Sequence, residues 1–277
     1  MKKKKPFLEI IKVSLTLVFV LASLFPFYFS TLNSFRHIRR TPDLGWVPVG
    51  LTLENWQEAF QPDSLIPRWM FNSIFVSLAI TTLMLIFDTL AGYAFARKKF
   101  PGSNFFFLLI IFLLTVPMAV QIIPIYSMIA KAGLLNSYLA LILPAASALG
   151  VFMMRQTIAS VPVSLDEAAR LDGCSDFGIL RYVILPLVKP GLASVFLINF
   201  VSMWNWFIYP LLVTNKDYMR TMTVALYTMA ATSGGALHPP PWGSIMVMIT
   251  IMFLPVFVLF LAFQQYFTKG ITMTGIK

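Results

Sequence analysis

The chain has 277 residues, 58% of them hydrophobic and 12% charged, with a mean hydropathy of +0.79. A water-soluble domain needs more polar surface than this, so lipid is expected to be the main solvent. The net charge of +10 flanks hydrophobic runs instead of forming a basic stripe, which argues against nucleic acid as a partner, and the lone Cys174 excludes an intrachain disulfide.

A helix needs about 20 apolar residues to cross a hydrocarbon core, and six stretches approach that length. The first covers residues 13–32 and follows the basic run Lys2, Lys3, Lys4 and Lys5. It outlasts the apolar core of about 7–15 residues found in a cleavable signal and ends in Phe25, Pro26, Phe27, Tyr28 and Phe29, so an uncleaved anchor is expected. Residues 33–69 carry Pro42, Pro48, Pro62 and Pro67 and predict an irregular loop with a short helix near 54–60. The second stretch, 74–95, contains Asp88, the single acid inside any of the six. The third is 105–125 and the fourth, 138–154, is the shortest. The fifth runs over 191–213 and the sixth over 245–267. Pro117, Pro124, Pro144 and Pro255 fall within these spans, where neighbouring helices can satisfy a kink. Between the fifth and sixth, residues 214–242 hold Gly234-Gly235 and Pro239-Pro240-Pro241, which predicts a flexible point followed by stiff polyproline.

With both ends inside, fourteen of the 21 Lys and Arg residues lie in the inner segments and seven in the outer ones. Basic residues favour the cytoplasmic side, so both termini are expected there. The expected fold class is all-α: a polytopic membrane protein with six transmembrane helices.

The longest inner segment, 155–189, is the most informative. Ser164 followed by Glu167 has capping-box spacing, and Asp166 suits the positive end of a helix dipole. Gly173 is a natural stop, giving a helix of about two turns. Ser175 and Asp176 are expected to start a second helix that Pro186 ends. Leu165, Ala168, Ala169 and Asp172 share one face by helical spacing. An isolated helix this short is unstable in water and needs a neighbour. Two readings follow: a flat docking surface for another protein, or an amphipathic connector lying on the membrane.

The string Glu167-Ala168-Ala169, then Gly173, then Val183-Ile184-Leu185-Pro186 resembles the EAA signature of bacterial ABC importer permeases, with Val183 where that signature has Ile. Asn72-Ser73, the run Ala91-Gly92-Tyr93-Ala94-Phe95-Ala96-Arg97, Phe100-Pro101-Gly102, Gly133-Leu134-Leu135-Asn136-Ser137, Trp204-Asn205 and Pro210-Leu211 look like the carbohydrate-uptake branch, and the chain is most similar there to the maltose-type G subunits. The resemblance covers nearly everything after residue 70. It implies an anchor helix and outer loop over 1–70 and a permease domain over 71–277, with the inner loop at 155–189. It also implies a bacterial inner-membrane transport subunit that is not an enzyme. The implied task is to form half of the pathway for a sugar or sugar-like solute.

The resemblance gives Ala168 and Ala169 the contact with a groove on an ATPase subunit, Gly173 the turn, and Glu167 a polar role at the groove edge, with Leu185 and Pro186 closing the motif. The tail, 269–277, is expected to touch the same partner. Implied partners are a second homologous permease, an ATPase dimer and an extracytoplasmic solute-binding protein. No Gly-x-x-x-x-Gly-Lys-Ser/Thr string occurs, so ATP and Mg are expected on the ATPase and no cofactor or metal on this chain. No catalytic residue is assigned.

Inside the spans, Asp88 has two readings: a pathway or interface residue, or a hydrogen-bonded carboxyl between helices. Asn205, between Trp204 and Trp206, offers a sugar both an amide and aromatic faces; ordinary helix packing is the alternative. Gly234 and Gly235 lie in the loop that, in the maltose-type subunits, reaches into the binding protein.

Overall fold

The computed structural model describes residues 6–38, 43–232 and 240–273. Gly234 and Gly235 lie outside these, as does the end of the tail. The regular secondary structure of the described residues is helical, with a single isolated antiparallel bridge between Arg36 and Leu51. The chain divides into two compact units, one of residues 1–67 and 225–254 and the other of residues 68–224 and 255–277.

In the first unit α1 (Pro6–Ser34) exposes its apolar surface for most of its length and is buried only near its end. There the Asn33 amide donates to the carbonyls of Phe29 (2.8 Å) and Gly45 (3.0 Å) and accepts from the Gly45 N–H (2.9 Å). The short helix expected near 54–60 is present as α2 (Glu54–Ala59). Its Asn55 amide donates to the carbonyls of Ser34 and Arg36, and Trp56 stacks on Phe35.

The second unit is organised along α3 (Ile66–Arg97), the longest span in it. Val76, Ile80 and Met84, one helical turn apart, meet Ile129, Ala140, Leu141, Tyr209 and Val213 in one apolar cluster. Further along, Tyr93 joins a second cluster with Met154, Ile158, Val161, Ala169, Ile179, Leu180, Ile184, Val188 and Val195. Two glycines allow close approach between α3 and α7 (Ala148–Ala159). A Cβ on Gly92 would lie 2.7 Å from the Met154 Cβ, and one on Gly150 would overlap the Asp88 carboxylate.

Three of the expected spans are broken. The third becomes α4 (Ser103–Leu113) and α5 (Met118–Lys131), bent by 101°. Pro117 is extended at the break (φ −60°, ψ 132°), and proline disfavours helix in the residue before it. The fourth becomes α6 (Tyr138–Ile142) and α7, with Pro144 in the gap and Ser147 capping the restart. α8 (Val163–Leu171) follows α7 at a 73° bend. The next helical run is α9 (Asp176–Gly178), a π-helical stretch (Ile179–Ile184) and α10 (Leu185–Leu187). An 83° bend leads into α11 (Lys189–Trp204). Pro186 therefore does not end the second inner helix. It stands in the first turn of α10, where its missing N–H breaks no bond within that helix, and the chain turns two residues later at Val188.

The fifth span stops at Asn205 and resumes as α12 (Ile208–Val213), where Pro210 sits in the first turn and its missing N–H has no helical partner to lose. Within residues 214–242, where the Gly and Pro content predicts a flexible point and stiff polyproline but no helix, the apolar run at the centre forms α13 (Met222–Thr232). The last helix, α14 (Trp242–Met273), continues unbroken through Pro255, as α5 does through Pro124.

Among the described residues three helices can cross a bilayer by length and composition, at Glu9–Ser34, Ile66–Arg97 and Trp242–Tyr266, and up to six spans result if each bent pair counts as one. Large apolar side chains stand exposed along them, among them Phe19, Phe87, Phe112 and Ile123. In water such surface would be an aggregation hazard; in lipid it is the expected exterior.

Candidate functional site

The connection between α7 and α11 builds the site that the sequence singled out. α8 begins at Val163 behind Pro162, which takes the N-cap position with no side-chain cap. Ser164 is already inside the helix, so the capping box with Glu167 does not form. The fixed φ of Pro162 starts the helix two residues earlier than a Ser164 cap would.

The helix has two distinct faces. Asp166 and Ala169 point inward, 5% and 7% exposed, and Ala169 packs into the second apolar cluster. Leu165, Glu167, Ala168, Leu171 and Asp172 are exposed. This corrects the expected pairing of Ala168 with Ala169 on one flat surface: of the two, only Ala168 faces out. Successive helical residues are about 100° apart, so two adjacent alanines seldom share a face on a half-buried helix.

Gly173 ends the helix at φ +84°, with its N–H on the Arg170 carbonyl (3.0 Å) and the Cys174 N–H on the Ala169 carbonyl (2.9 Å). That double bond is a Schellman ending, which favours glycine at this position. Ser175 caps α9 by accepting from the Gly178 N–H (3.2 Å). Leu185 packs partly against the second cluster and Pro186 is exposed.

The inward Asp166 meets the end of α3. Arg97 Nε lies 2.8 Å from Asp166 Oδ2, and the guanidinium also donates to the Val161 carbonyl at 2.6 Å. Both side chains are buried. The N–H of Nε is not aimed along that contact, and Asp166 Oδ1 is left without a hydrogen-bond partner, so the pair is a charge contact more than a saturated bond. Next to it, exposed Asp176 takes Lys98 and Arg170, the latter at 2.8 Å. The Lys98 ammonium bonded to Asp176, with Arg170 beside it, holds that carboxyl below its ordinary range. Sequence reasoning had left Arg97 as a flanking charge and Asp166 as a dipole partner. The available signal was that Asp166 lies one turn from Ala169.

Asp88 is buried at the middle of a polar node. The Asn199 amide donates to its Oδ2 (3.1 Å), and Asn199 Oδ1 accepts from the Ser147 hydroxyl (3.1 Å), which in turn caps Gly150. The node ties α3, α7 and α11 together, which is the geometry of a hydrogen-bonded carboxyl between helices. One side of Asp88 borders a cavity of about 390 Å³ lined mainly by apolar residues of α3, α4 and α7.

The trio at the fifth span does not form one site. Trp204 is buried with its ring stacked on Phe200, and Trp206 stacks on Tyr209. Asn205 is exposed at the helix break, and its amide donates to the Val201 carbonyl (2.8 Å). Trp204 therefore offers no open aromatic face beside Asn205. The core claims it, because helix spacing puts it on the buried stripe with Phe200.

Long apolar helices and bent helical pairs together define a multi-pass membrane protein. The chain belongs to the family of binding-protein-dependent transport system inner membrane components, whose family model matches residues 88–273. It is 36% identical over 92% of its length, and 91% of the relative's, to the arabinooligosaccharides transport system permease protein AraQ of Halalkalibacterium halodurans. It is 31% identical to the AraQ protein of Bacillus subtilis across the full length of both. The sn-glycerol-3-phosphate transport system permease protein UgpE of Rhizobium meliloti is also 31% identical, over 99% of each chain. The fold resembles, with a TM-score of 0.80 and 22% identity, a chain of a bacterial ABC transporter involved in importing the acidic polysaccharide alginate, covering 96% of this chain and 99% of that one. The family places the protein in the bacterial inner membrane as a transport subunit, not an enzyme.

Proposed function

We propose that this chain is a permease subunit of an ATP-driven importer, forming half of the pathway for a sugar or sugar-like solute. In this reading the six spans are α1, α3, α4 with α5, α6 with α7, α11 with α12, and α14, with both termini in the cytoplasm, where most of the basic residues then lie. Residues 1–70 are the anchor and first outer loop, and 71–277 the permease domain. The solute arrives from an extracytoplasmic binding protein, and the loop holding Gly234 and Gly235 reaches toward it. A second permease completes the pathway, and an ATPase dimer binds and hydrolyses ATP with Mg. The names of the relatives, which carry arabinooligosaccharides or glycerol phosphate, support a polyhydroxylated solute. Asn205 is the candidate that faces outward to meet it.

One observation carries the reading. α8 is anchored from beneath by Asp166 and Ala169, stopped by Gly173, and presents Leu165, Ala168 and Leu171 outward, the last 91% exposed. A short helix held on one face and apolar on the other is built to enter a groove. In that groove Ala168 makes the close contact, Glu167 lies at the edge, and Leu185 and Pro186 support the helix from the π-helical run. Replacing Ala168 with Trp is expected to abolish uptake and capture of the ATPase, with membrane levels unchanged. Unaltered uptake by Ala168→Trp would refute the docking assignment. Ala169 is the wrong probe, since a bulky side chain there disturbs the protein's own core.

A further inference from the structure

We propose that Arg97 and Asp166 are the positioning pair through which a displacement of α8 is delivered to α3, and hence to the membrane-spanning part of the chain. The proposal rests on the reading of α8 as the ATPase-docking helix and goes beyond it, because docking alone does not say which helix receives the stroke.

Arg97 is the last residue of α3 and holds two separate parts of the inner segment at once. It meets the Asp166 carboxylate of α8 at 2.8 Å and the Val161 carbonyl of the turn before it at 2.6 Å. Both side chains are nearly excluded from solvent, so little water screens the charges. The neighbouring residue repeats the link from the outside: Lys98 pairs with Asp176, which also takes Arg170 of α8. About one turn back along α3 lie Tyr93, packed in the same cluster as Ala169, and Gly92, against α7. A push on the outward face of α8 thus meets α3 through charge and through packing.

The bonding of the buried pair also suits a moving joint. Asp166 Oδ1, Arg97 Nε and the Tyr93 hydroxyl are all buried without a hydrogen-bond partner. Buried polar groups are normally satisfied, so three in one place call for an explanation. A saturated bidentate pair would fix a single orientation. A charge contact with spare acceptor and donor capacity lets α8 pivot on Arg97 while remaining attached, and Asp166 Oδ1 and Tyr93 can become partners in a second arrangement. Transmission needs such an element with two placements, biased by the partner at one end and the pathway at the other.

The test uses the complete transporter in proteoliposomes, with solute uptake and ATP hydrolysis measured on the same preparation and referred to the amount of assembled complex. Asp166→Asn keeps the shape of the side chain and removes its charge. It is expected to leave hydrolysis within about twofold of wild type while lowering solute transported per ATP by about tenfold. Exchanging the charges, Arg97→Asp with Asp166→Arg, is expected to recover a large part of that ratio. A wild-type ratio in Asp166→Asn would overturn the proposal. So would a proportional fall of uptake and hydrolysis, or a loss of assembled complex with a normal ratio in what remains, since either marks a purely structural contact. Failure of docking itself is read separately, from Ala168→Trp and ATPase capture.

Discussion

Replacing Gly92 with Ala probes the packing that places the inner end of α3. The added Cβ would lie 2.7 Å from the Met154 Cβ and 2.8 Å from the Arg155 backbone nitrogen. Carbon contacts settle at about 3.5–4.0 Å, so α3 and α7 must separate by roughly 1 Å. The obstacle is helix backbone and a Cβ, neither of which can rotate away. Overpacking of this kind costs about 1–3 kcal/mol, offset by about 1 kcal/mol from the better helix propensity of alanine. The net loss of up to about 2 kcal/mol corresponds to a midpoint lowered by roughly 4–8 °C at about 2–4 °C per kcal/mol. Heating the purified protein in detergent and following its loss from the monodisperse peak measures this. Gly178→Ala is the internal control, because its Cβ meets Ser175 Oγ at an ordinary 3.4 Å. Equal midpoints for Gly92→Ala and wild type, or an equal loss for Gly178→Ala, would show that the α3–α7 approach is not what limits stability.

Two further outcomes follow from the polar contacts. Asp88→Asn keeps an acceptor for the Asn199 amide and is expected to retain uptake, whereas Asp88→Leu strands that amide at a cost of about 1 kcal/mol; lost uptake with normal assembly in Asp88→Asn would instead favour a pathway role. The Asp176 carboxyl is held below its ordinary range, so its contribution is complete above the unfolded value near about 4 and disappears only as pH falls through the depressed folded value. Wild-type hydrogen exchange around Ser175–Gly178 should accordingly be indifferent to this group between about pH 5 and 8 once the intrinsic rate is corrected for. Asp176→Asn should raise exchange there at neutral pH, and a similar rise in wild type on moving from pH 8 to pH 5 would contradict the assignment.

Hydropathy located the six apolar stretches but not their interruptions. Averaging over about 20 residues registers an apolar run whether it is one helix or two. Proline content does not decide the matter either. Pro117 and Pro144 fall at breaks, while Pro124 and Pro255 ride inside continuous helices. The difference lies in whether neighbours can satisfy the freed carbonyl, which is tertiary information. α13 was hidden for a related reason, its short apolar run being followed by the Gly and Pro residues that dominate the rest of 214–242. The Gly173 ending of α8 was legible because a positive φ has a residue signature. Which face of α8 is buried was not. A carboxylate beside Ala169 reads as exposed until Arg97, nearly seventy residues earlier, is brought to it.

The broken spans pose a stricter problem than the folding of a soluble loop. In lipid each unpaired N–H or C=O costs several kcal/mol, so irregular backbone survives only where the protein answers it. Most of the answers here come from residues first noticed as a family resemblance, with Ser147 added by the structure. Asn72 donates to the carbonyls of Tyr218 and Arg220 while accepting from the Tyr138 hydroxyl, and Ser73 Oγ accepts from the Met222 N–H. Asn136, at φ +59°, accepts from the N–H groups of Asn215 and Lys216, and Ser137 and Ser147 cap the helices that restart after them. These polar side chains are therefore occupied by backbone, which makes them poor candidates for holding a solute. Asp88 is engaged instead by a side chain, the Asn199 amide, and is equally unavailable. A polar residue in such a chain points to a ligand only after the backbone's demand on it has been met. Asn205, exposed at a helix break, gives its amide N–H to the Val201 carbonyl but keeps its Oδ1 outward, and is the position where substitution should separate solute selectivity from assembly.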